Sequence, residues 1–272
     1  MKNVVIEEFS SLGQYIDVIG KRKINKVFSR KSLSSEMRDY DFTLTHDYEE
    51  SVKIATEGYK EGLDELSVVD TKFQYKEKIS KKIPSVDFVG YAPHVANAIA
   101  GVPKSMISAT NIEQKAKVIT ILYSNGDNGG ANTSNYITAG KNILNVINTL
   151  ELQGYRVAVI VIHCSFEDNQ FAVRQVMVKH WRQPSNPLKL AYPLLHPSFQ
   201  RRQGFKWLET HPDIEDSCFS RNYGHTFNTE SMSEQKEKLR EIGVLKQSYF
   251  YTNLIEAKDN EADKLIKLMG VR

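Results

Sequence analysis

Two apolar, β-branched runs separated by a long helical pattern constrain the fold of this chain more than any other feature. The first run covers residues 117–123, and the second covers residues 156–162. Between them, apolar residues recur at helical spacing from Tyr136 to Leu150, and Gly154 ends the helical pattern. A strand, a helix and a strand connected over this length form a right-handed crossover with two parallel strands. The sequence therefore predicts an α/β sheet at the core.

Weaker patterns place other elements around this core. Asp47 is a good N-cap for a helix, and Pro193 and Pro197 interrupt an otherwise helical stretch because proline removes a backbone donor. We predict a helix over 47–57, a third strand over 171–181 that runs antiparallel to the second, helical pieces over 188–209, a strand over 244–251 and a terminal helix over 257–269.

The amino-terminal part of the chain is strongly basic. Seven lysines and arginines fall between residues 21 and 38, and serines are interleaved with them. This composition favours an exposed arm over packed structure. The expected domain organisation is a basic arm over residues 1–45, a helical extension packed on the core over residues 46–115, and an α/β domain over residues 116–272.

The composition excludes several classes of protein. With 40% hydrophobic and 25% charged residues, the chain has the balance of a globular protein, not of a disordered or fibrous one. Its formal net charge of +3 is too small to argue for nucleic-acid binding without local basic patches. No apolar run reaches the length of about 18 residues that a membrane-spanning helix needs, and Cys164 and Cys218 are too few for a disulfide scaffold. We therefore expect an intracellular protein with reduced cysteines.

A polar loop rich in glycine and asparagine follows the first predicted strand, over residues 124–134. Ligands of open α/β sheets bind at the carboxyl ends of the strands, so this loop is the best candidate site. Its length matches a phosphate-binding loop of the G-x-x-x-x-G-K-[ST] type. However, Ala131 replaces the second glycine, and Asn132 replaces the lysine that contacts the phosphates. We therefore do not expect nucleotide hydrolysis.

The same loop offers oxygen atoms to a divalent cation. Hydroxyl and carboxylate oxygens are ligands that Mg²⁺ and Ca²⁺ accept. The alternative is a structural loop that caps the following helix through Thr133 or Ser134. Both interpretations stay open, and apart from Mg²⁺ or Ca²⁺ no cofactor is expected. The predicted metal-site residues are Ser124, Asp127, Thr133 and Ser134.

Basic residues lie beside aromatic residues in three clusters. Cations follow the phosphates of single-stranded nucleic acid, while aromatic rings stack on its unpaired bases. The alternative is that rings such as Trp207 pack in the core while the cations reach solvent from a polar face. The predicted nucleic-acid-binding residues are Lys72, Phe73, Tyr75 and Lys76 in the first cluster, Lys179, Trp181 and Arg182 in the second, and Arg201, Arg202, Lys206 and Trp207 in the third.

The sequence contains no set of residues at a recognisable catalytic spacing. His163 and Cys164 end the second predicted strand, where a cysteine nucleophile would reach the rim of the sheet, but no partner acid is identifiable. The other histidines lack the spacing of a zinc site. We therefore expect a protein without enzymatic activity.

The predicted elements from residue 117 onward resemble the opening of a von Willebrand factor A-type domain. The shared features are the strand, the polar loop, the long helix, the second strand and the antiparallel third strand. That family binds a metal through D-x-S-x-S after its first strand, and here Ser124 or Asn125 takes the position of the first aspartate. The resemblance implies a mostly parallel sheet flanked by helices, to which the basic and helical amino-terminal extension is attached.

Four short motifs, at residues 42–47, 58–62, 90–94 and 100–103, are similar to an uncharacterised family of phage-encoded proteins. The chain also resembles the small single-stranded DNA-binding factor of podophages. This resemblance implies a non-enzymatic adaptor in the host cytoplasm that binds single-stranded DNA, recruits the phage RNA polymerase to promoter DNA and has no membrane partner. The alternative function is a metal-dependent protein-interaction module that binds a phage ATPase or a virion component.

Overall fold

A computed structural model describes residues 3–25, 40–64, 78–115, 117–126, 131–167, 170–214, 223 and 231–271 of the chain. The chain divides into two compact units. The larger unit consists of Met1–Gln74 and Val118–Arg272, and the smaller unit consists of Tyr75–Lys117.

The elements are numbered in chain order. The strands are β1 (Asn3–Phe9), β2 (Lys78–Asp87), β3 (Ala92–Pro93), β4 (Met106–Lys115), β5 (Val118–Ser124), β6 (Arg156–Glu167), β7 (Gln170–Lys179) and β8 (Tyr249–Asn253). The helices are α1 (Leu12–Lys21), α2 (Tyr40–Thr43), α3 (Tyr48–Glu57), α4 (Glu61–Asp64), α5 (Val95–Ile99), α6 (Thr133–Leu152), α7 (Pro187–Leu195), α8 (Phe205–Thr210), α9 (Met232–Glu241), α10 (Leu254–Asp259) and α11 (Ala262–Leu268). A π-helix, Phe199–Gly204, lies between α7 and α8.

The larger unit is a mixed α/β structure built on one mostly parallel sheet. Among the described residues, this sheet has five strands in the order β1-β7-β6-β5-β8. β5 runs parallel to β6 and β8, β1 runs parallel to β7, and β7 runs antiparallel to β6. The predicted crossover is confirmed as β5, α6 and β6, and the predicted antiparallel third strand is confirmed as β7.

Alternating side chains build apolar layers on both faces of this sheet. On one face, Val161 of β6 belongs to a buried cluster with Ile147 of α6. On the other face, Ile162 belongs to a second buried cluster with Leu239 of α9. β6 is therefore buried on both faces, which is why its residues 157–162 form an uninterrupted apolar run.

The longest helix, α6, is fixed at its start and along its length by two local features. The side-chain oxygen of Asn132 accepts a hydrogen bond from the backbone N–H of Asn135 at 3.1 Å. The cap is therefore Asn132 and not Thr133 or Ser134 as the sequence suggested. Further along, a Cβ at Gly140 would lie 2.6 Å from the carbonyl oxygen of Leu194, so glycine permits the close approach of α7.

The amino-terminal region differs from the exposed arm predicted over residues 1–45. β1 joins the large sheet, with Val5 and Phe9 buried, and α1 buries Tyr15 and Ile19 one helical turn apart. The alternation and the helical spacing of these four residues were present in the sequence, but the neighbouring lysines dominate the composition. Residues 26–39 lie outside the described part of the chain.

The smaller unit differs from the helical extension predicted over residues 46–115. β2 and β4 form an antiparallel ladder that runs from the pair Lys78 and Lys115 to the pair Asp87 and Met106. β3 adds two pairs to β4, and the short helix α5 follows it. The helices α3 and α4, which the prediction included in this extension, belong to the larger unit.

The remaining predictions are confirmed only in part, since the strand predicted over 244–251 begins at Tyr249, as β8. The helix predicted over 47–57 is α3, and Asp47 caps it as expected by accepting from the backbone of Glu50 at 2.7 Å. Pro193 lies inside α7 and does not end it, and the predicted terminal helix is divided into α10 and α11. None of the described helices is both long and apolar enough to cross a membrane.

Candidate functional site

A row of polar side chains crosses one face of the large sheet at the carboxyl end of β5. Arg174 of β7 is paired in register with Glu7 of β1 on one side and with His163 of β6 on the other. Asn125, the residue after β5, continues the row, because its backbone N–H donates to Ile162 at 3.4 Å. Arg174, His163 and Asn125 are at most 1% exposed. Polar groups so deeply buried need partners, which makes this row the most unusual feature of the sheet.

Arg174 is hydrogen-bonded through one edge of its guanidinium group, while the other edge, which we call open, is buried and lacks a hydrogen-bond partner among the described residues. Its Nη1 donates to the hydroxyl of Tyr15 at 2.6 Å and to the carbonyl oxygen of Phe199 at 3.4 Å. The rings of the same two residues lie 4.8 and 4.6 Å from the guanidinium carbon, with their centroids 6.0 Å from each other. The other edge, formed by Nε and Nη2, has no hydrogen-bond partner among the described residues. We call Arg174, His163 and Asn125 the Arg174 site.

His163 lies beside Arg174 as a neutral imidazole. Burial, together with the positive charges of Arg174 and Arg201, lowers the pKa of His163 to about 3. Neither ring nitrogen has a hydrogen-bond partner among the described residues. A neutral imidazole has one donor and one acceptor nitrogen, so His163 can donate one hydrogen bond to a neighbouring group.

The π-helix covers this pair from above the sheet. The position that a Cβ would take at Gly204 is 3.4 Å from Nδ1 of His163 and 3.6 Å from Nη1 of Arg174. Arg201, also on the π-helix, is half-buried, and its guanidinium group lies 4.9 Å from the ring of Phe42. π-helical turns often occur at functional sites. Here the turn brings a second arginine close enough to affect the pKa of His163.

Glu7 is the carboxylate that the register places next to Arg174, but other groups bind it. Arg22 donates to both of its oxygens, at 2.9 and 2.5 Å, and Trp207 donates its indole N–H at 2.7 Å. Burial by itself would raise the pKa of Glu7, but the hydrogen bonds from Arg22 and Trp207 lower it below its usual value. Glu7 is therefore held as a carboxylate by groups other than Arg174.

The chemistry of the Arg174 site follows from the open edge of the guanidinium group. Nε and Nη2 of an arginine lie side by side and match two oxygens of a carboxylate or a phosphate. A buried cation without a bound anion is unfavourable, and an oxyanion on this edge would neutralise it. The neutral imidazole of His163 adds one donor. The arrangement is therefore suited to an oxyanion, at the strand ends where ligands of open α/β sheets bind.

Three of the predicted nucleic-acid-binding residues are buried, which corrects their assignment to a surface. Lys179 is 3% exposed and donates to Glu151 at 2.6 Å, and burial lowers its pKa. Arg202 is 0% exposed and donates to the carbonyl oxygen of Thr45 at 2.9 Å. Trp207, also 0% exposed, is the residue that binds Glu7. The alternative of core packing is thus correct for Trp207.

The other predicted nucleic-acid-binding residues are exposed or half-buried where they are described. Arg201 and Lys206 are half-buried, and Lys206 lies 5.2 Å from the ring of Tyr48. Arg182 is exposed and lies 4.6 Å from the ring of Trp181, which is half-buried, just beyond the end of β7. Lys72, Phe73, Tyr75 and Lys76 lie outside the described residues.

The predicted metal-site residues are only partly described. Ser124 is buried at the end of β5, and Asp127 lies outside the described residues. The hydroxyl of Thr133 donates to the carbonyl oxygen of Phe42 at 3.1 Å, and that of Ser134 donates to Asn132 at 2.7 Å. Within the described residues, no three histidine, cysteine or acidic side chains form a group that could hold a metal ion.

Sequence reasoning missed Arg174 and recorded His163 only as a neighbour of Cys164. The available signal was a single charged residue, Arg174, in a strand that is apolar over residues 171–178 apart from Gln175. Arg174 has no basic or aromatic neighbour in sequence, so it does not belong to any cluster of adjacent basic and aromatic residues. Of the predicted residues, Arg201 is the one that the fold brings near this site.

Comparisons with known proteins give a family without an assigned activity. No curated protein and no solved structure is significantly similar to this chain. One family model, described as a domain of unknown function (DUF7192), matches residues 1–269. Because the match extends over almost the whole sequence, the chain belongs to the DUF7192 family.

Proposed function

We propose that this protein binds a ligand through an oxyanion, a carboxylate or a phosphate group, at the Arg174 site. The observation that carries the proposal is the open Nε and Nη2 edge of a guanidinium group that is 0% exposed. Its Nη1 is hydrogen-bonded to Tyr15 and Phe199, whose rings also pack against the guanidinium group, so the edge is already oriented before a ligand arrives. Preorganised donors bind more tightly because little conformational entropy is lost on binding.

Thermal unfolding in the presence of anions tests the proposal. A ligand that binds only the folded state stabilises it, by about 2.7 kcal/mol when the ligand is at a hundred times its dissociation constant. We expect inorganic phosphate or acetate to raise the melting temperature of the full chain above that in sodium chloride of equal ionic strength. Comparing the two anions shows which group the site binds. A site for phosphate groups responds to phosphate, and a site for carboxylates responds to acetate.

Matched variants assign the effect to the site. Arg174→Met should abolish the anion-dependent shift, and Arg174→Lys should weaken it because an ammonium group lacks the two-pronged edge. Arg182→Gln, which removes an exposed arginine, should keep the full shift. The proposal is wrong if neither anion stabilises the protein beyond the chloride control, or if Arg174→Met responds as the unmodified chain does.

We also propose that the core of the larger unit is von Willebrand A-like. The support is the succession of β5, α6, β6 and the antiparallel β7, which is the succession that the resemblance implied. In this proposal, the Arg174 site takes the place of a metal as the ligand-binding feature at the strand ends. Metal binding by the loop after β5 stays a prediction.

Single-stranded DNA binding is the second candidate function. The observation in its favour is an exposed arginine on an aromatic ring, Arg182 on Trp181. Such a pair provides a stacking face and a cation for one nucleotide. If it acts this way, Trp181→Ala weakens binding to a single-stranded oligonucleotide, and affinity falls as salt rises. Recruitment of a phage RNA polymerase stays a prediction.

A further inference from the structure

The described side chains of the smaller unit form no buried core. Over residues 84–109, the part of this unit whose side chains are described, no side chain is buried. Its sheet has three strands, but β3 adds only two residue pairs, so most of the sheet is the two-stranded ladder of β2 and β4, and such a ladder is marginally stable in water unless an apolar face is covered. The apolar side chains of this unit therefore need a covering surface to stabilise the ladder.

Its exposed apolar residues are concentrated at one end of the ladder. β2 ends at Asp87 and β4 begins at Met106, so every residue between them lies at the end opposite the two chain connections to the larger unit. We call the exposed residues there the apolar tip. They are Phe88 (61% exposed), Val89 (80%), Tyr91 (73%), Val95 (63%), Ile99 (83%) and Val102 (41%).

The apolar tip is held in shape by backbone hydrogen bonds. His94 donates its N–H to Ser105 at 2.7 Å, and Val102 donates its N–H to Asn97 at 2.9 Å. A Cβ at Gly90 would lie 2.0 Å from the carbonyl oxygen of Ile107, so the turn packs directly on β4. The tip is therefore an ordered surface that a partner can meet without first folding it.

The size and charge of the apolar tip indicate what covers it. Its exposed fractions correspond to an area on the order of 700 Å², since a large side chain presents about 150–250 Å² in full. This is close to the ~800 Å² per partner of a stable protein interface. Residues 88–103 contain no lysine, arginine, aspartate or glutamate, so two identical tips would meet without like-charge repulsion. The flanking Asp87 and Lys104 lie 3.7 Å apart as an ion pair.

We propose that the apolar tip is a dimer interface, in which a second copy of this chain covers the tip of the first. A two-fold arrangement lets one apolar surface bury itself against an identical one. Nucleic acid fits the tip less well, because residues 88–103 contain no lysine or arginine to contact its phosphates, although Phe88 and Tyr91 could stack on bases. The proposal does not depend on the Arg174 site.

Sedimentation equilibrium of the full chain over a wide range of concentration tests the proposal. We expect a monomer–dimer equilibrium in the unmodified protein. Val89→Asp and Ile99→Asp should each raise the dimer dissociation constant by at least about tenfold, because each places a charge where an apolar side chain is buried on association. Both side chains are more than three-quarters exposed in one copy, so neither substitution should disturb folding.

The controls are exposed apolar residues of the larger unit. Leu152→Asp and Leu268→Asp change side chains that are 56% and 53% exposed, and they should leave the dissociation constant unchanged. A protein that stays monomeric at all concentrations would overturn the proposal, as would a dimer that tip variants do not weaken. Binding of the tip to lipid vesicles in place of self-association would also overturn it.

Discussion

Lys179 and Arg174 are buried cations on the same strand, and they differ in their partners. Lys179 donates to the carboxylate of Glu151, whereas the described contacts of Arg174 are a hydroxyl, a carbonyl oxygen and two rings. Lys179→Met leaves a buried carboxylate without its cation, which should lower the free energy of unfolding by about 3–5 kcal/mol. Arg174→Met removes a charge without a bound carboxylate, so we expect a change of about 1 kcal/mol or less. Urea unfolding measures both.

A double variant controls for lost packing at Lys179. Replacing Lys179 with Met and Glu151 with Leu removes both charges, so most of the lost free energy of unfolding should return. If Arg174→Met is as destabilising as Lys179→Met, then Arg174 is needed for folding, and its open edge has no bearing on ligand binding.

The buried neutral state of His163 should make the protein sensitive to acid. Its pKa is about 3 in the folded chain, below the ordinary histidine value of 6.5, because of burial and the nearby Arg174 and Arg201. Below pH 6.5 the unfolded chain binds a proton that the folded chain does not, so stability is full above pH 6.5 and falls as the pH drops towards 3. Between pH 7 and pH 5, this histidine should lower the free energy of unfolding by about 2 kcal/mol.

Comparison with a variant isolates this contribution. In His163→Gln, the decrease in the free energy of unfolding between pH 7 and pH 5 should be smaller by about 2 kcal/mol than in the unmodified chain. His196, whose pKa burial also lowers to about 3, should add a second contribution that His196→Gln removes. Parallel pH curves for His163→Gln and the unmodified chain would show that His163 is not buried in its neutral form.

Residue-scale prediction from the sequence failed where it depended on which side chains are buried. Lys179, Arg202 and Trp207 were all conspicuous as basic or aromatic residues, yet each is directed into the larger unit by contacts with distant residues. Glu151, the partner of Lys179, and Thr45, the partner of Arg202, are far from them in sequence. No local sequence pattern therefore predicts these contacts. Arg174 was visible as a lone charge in a mostly apolar strand, but its bonded edge is held by Tyr15 and Phe199, which only the fold brings together.

At the scale of elements, prediction succeeded where hydrophobic periodicity is long and failed where it is short. β5, α6 and β6 were recognised from their apolar residues. A strand buried on both faces is a continuous apolar run, and a five-turn helix buried on one side repeats apolar residues at helical spacing. β1 has only two buried side chains. Its alternation of buried and exposed residues was therefore a weaker sequence signal than the basic residues that follow it in the chain. The π-helix left no signal at all, because its sequence fits an α-helix equally well, and only packing selects the wider turn that sets Gly204 against His163.

At the scale of the whole molecule, the two units differ in how much each contributes to its own stability. The larger unit has buried apolar clusters on both faces of its sheet, while residues 84–109 of the smaller unit bury no side chain. Regions with few buried apolar contacts open by local fluctuations that cost much less free energy than global unfolding. The two units should therefore exchange their amide hydrogens at very different rates.

Hydrogen exchange followed by mass spectrometry of the full chain measures this difference. At low protein concentration, amides of residues 84–109 should exchange at least about a thousand times faster than those of β5 and β6, because global unfolding of a stable unit costs several kcal/mol more than opening of the ladder. Raising the concentration should slow exchange at residues 84–109 in the unmodified chain, since a second copy covers the apolar tip, but not in Ile99→Asp. Slow exchange at these residues even in dilute Ile99→Asp would mean that the smaller unit draws its stability from elsewhere in the same chain, which is incompatible with a tip that becomes covered only on dimerisation.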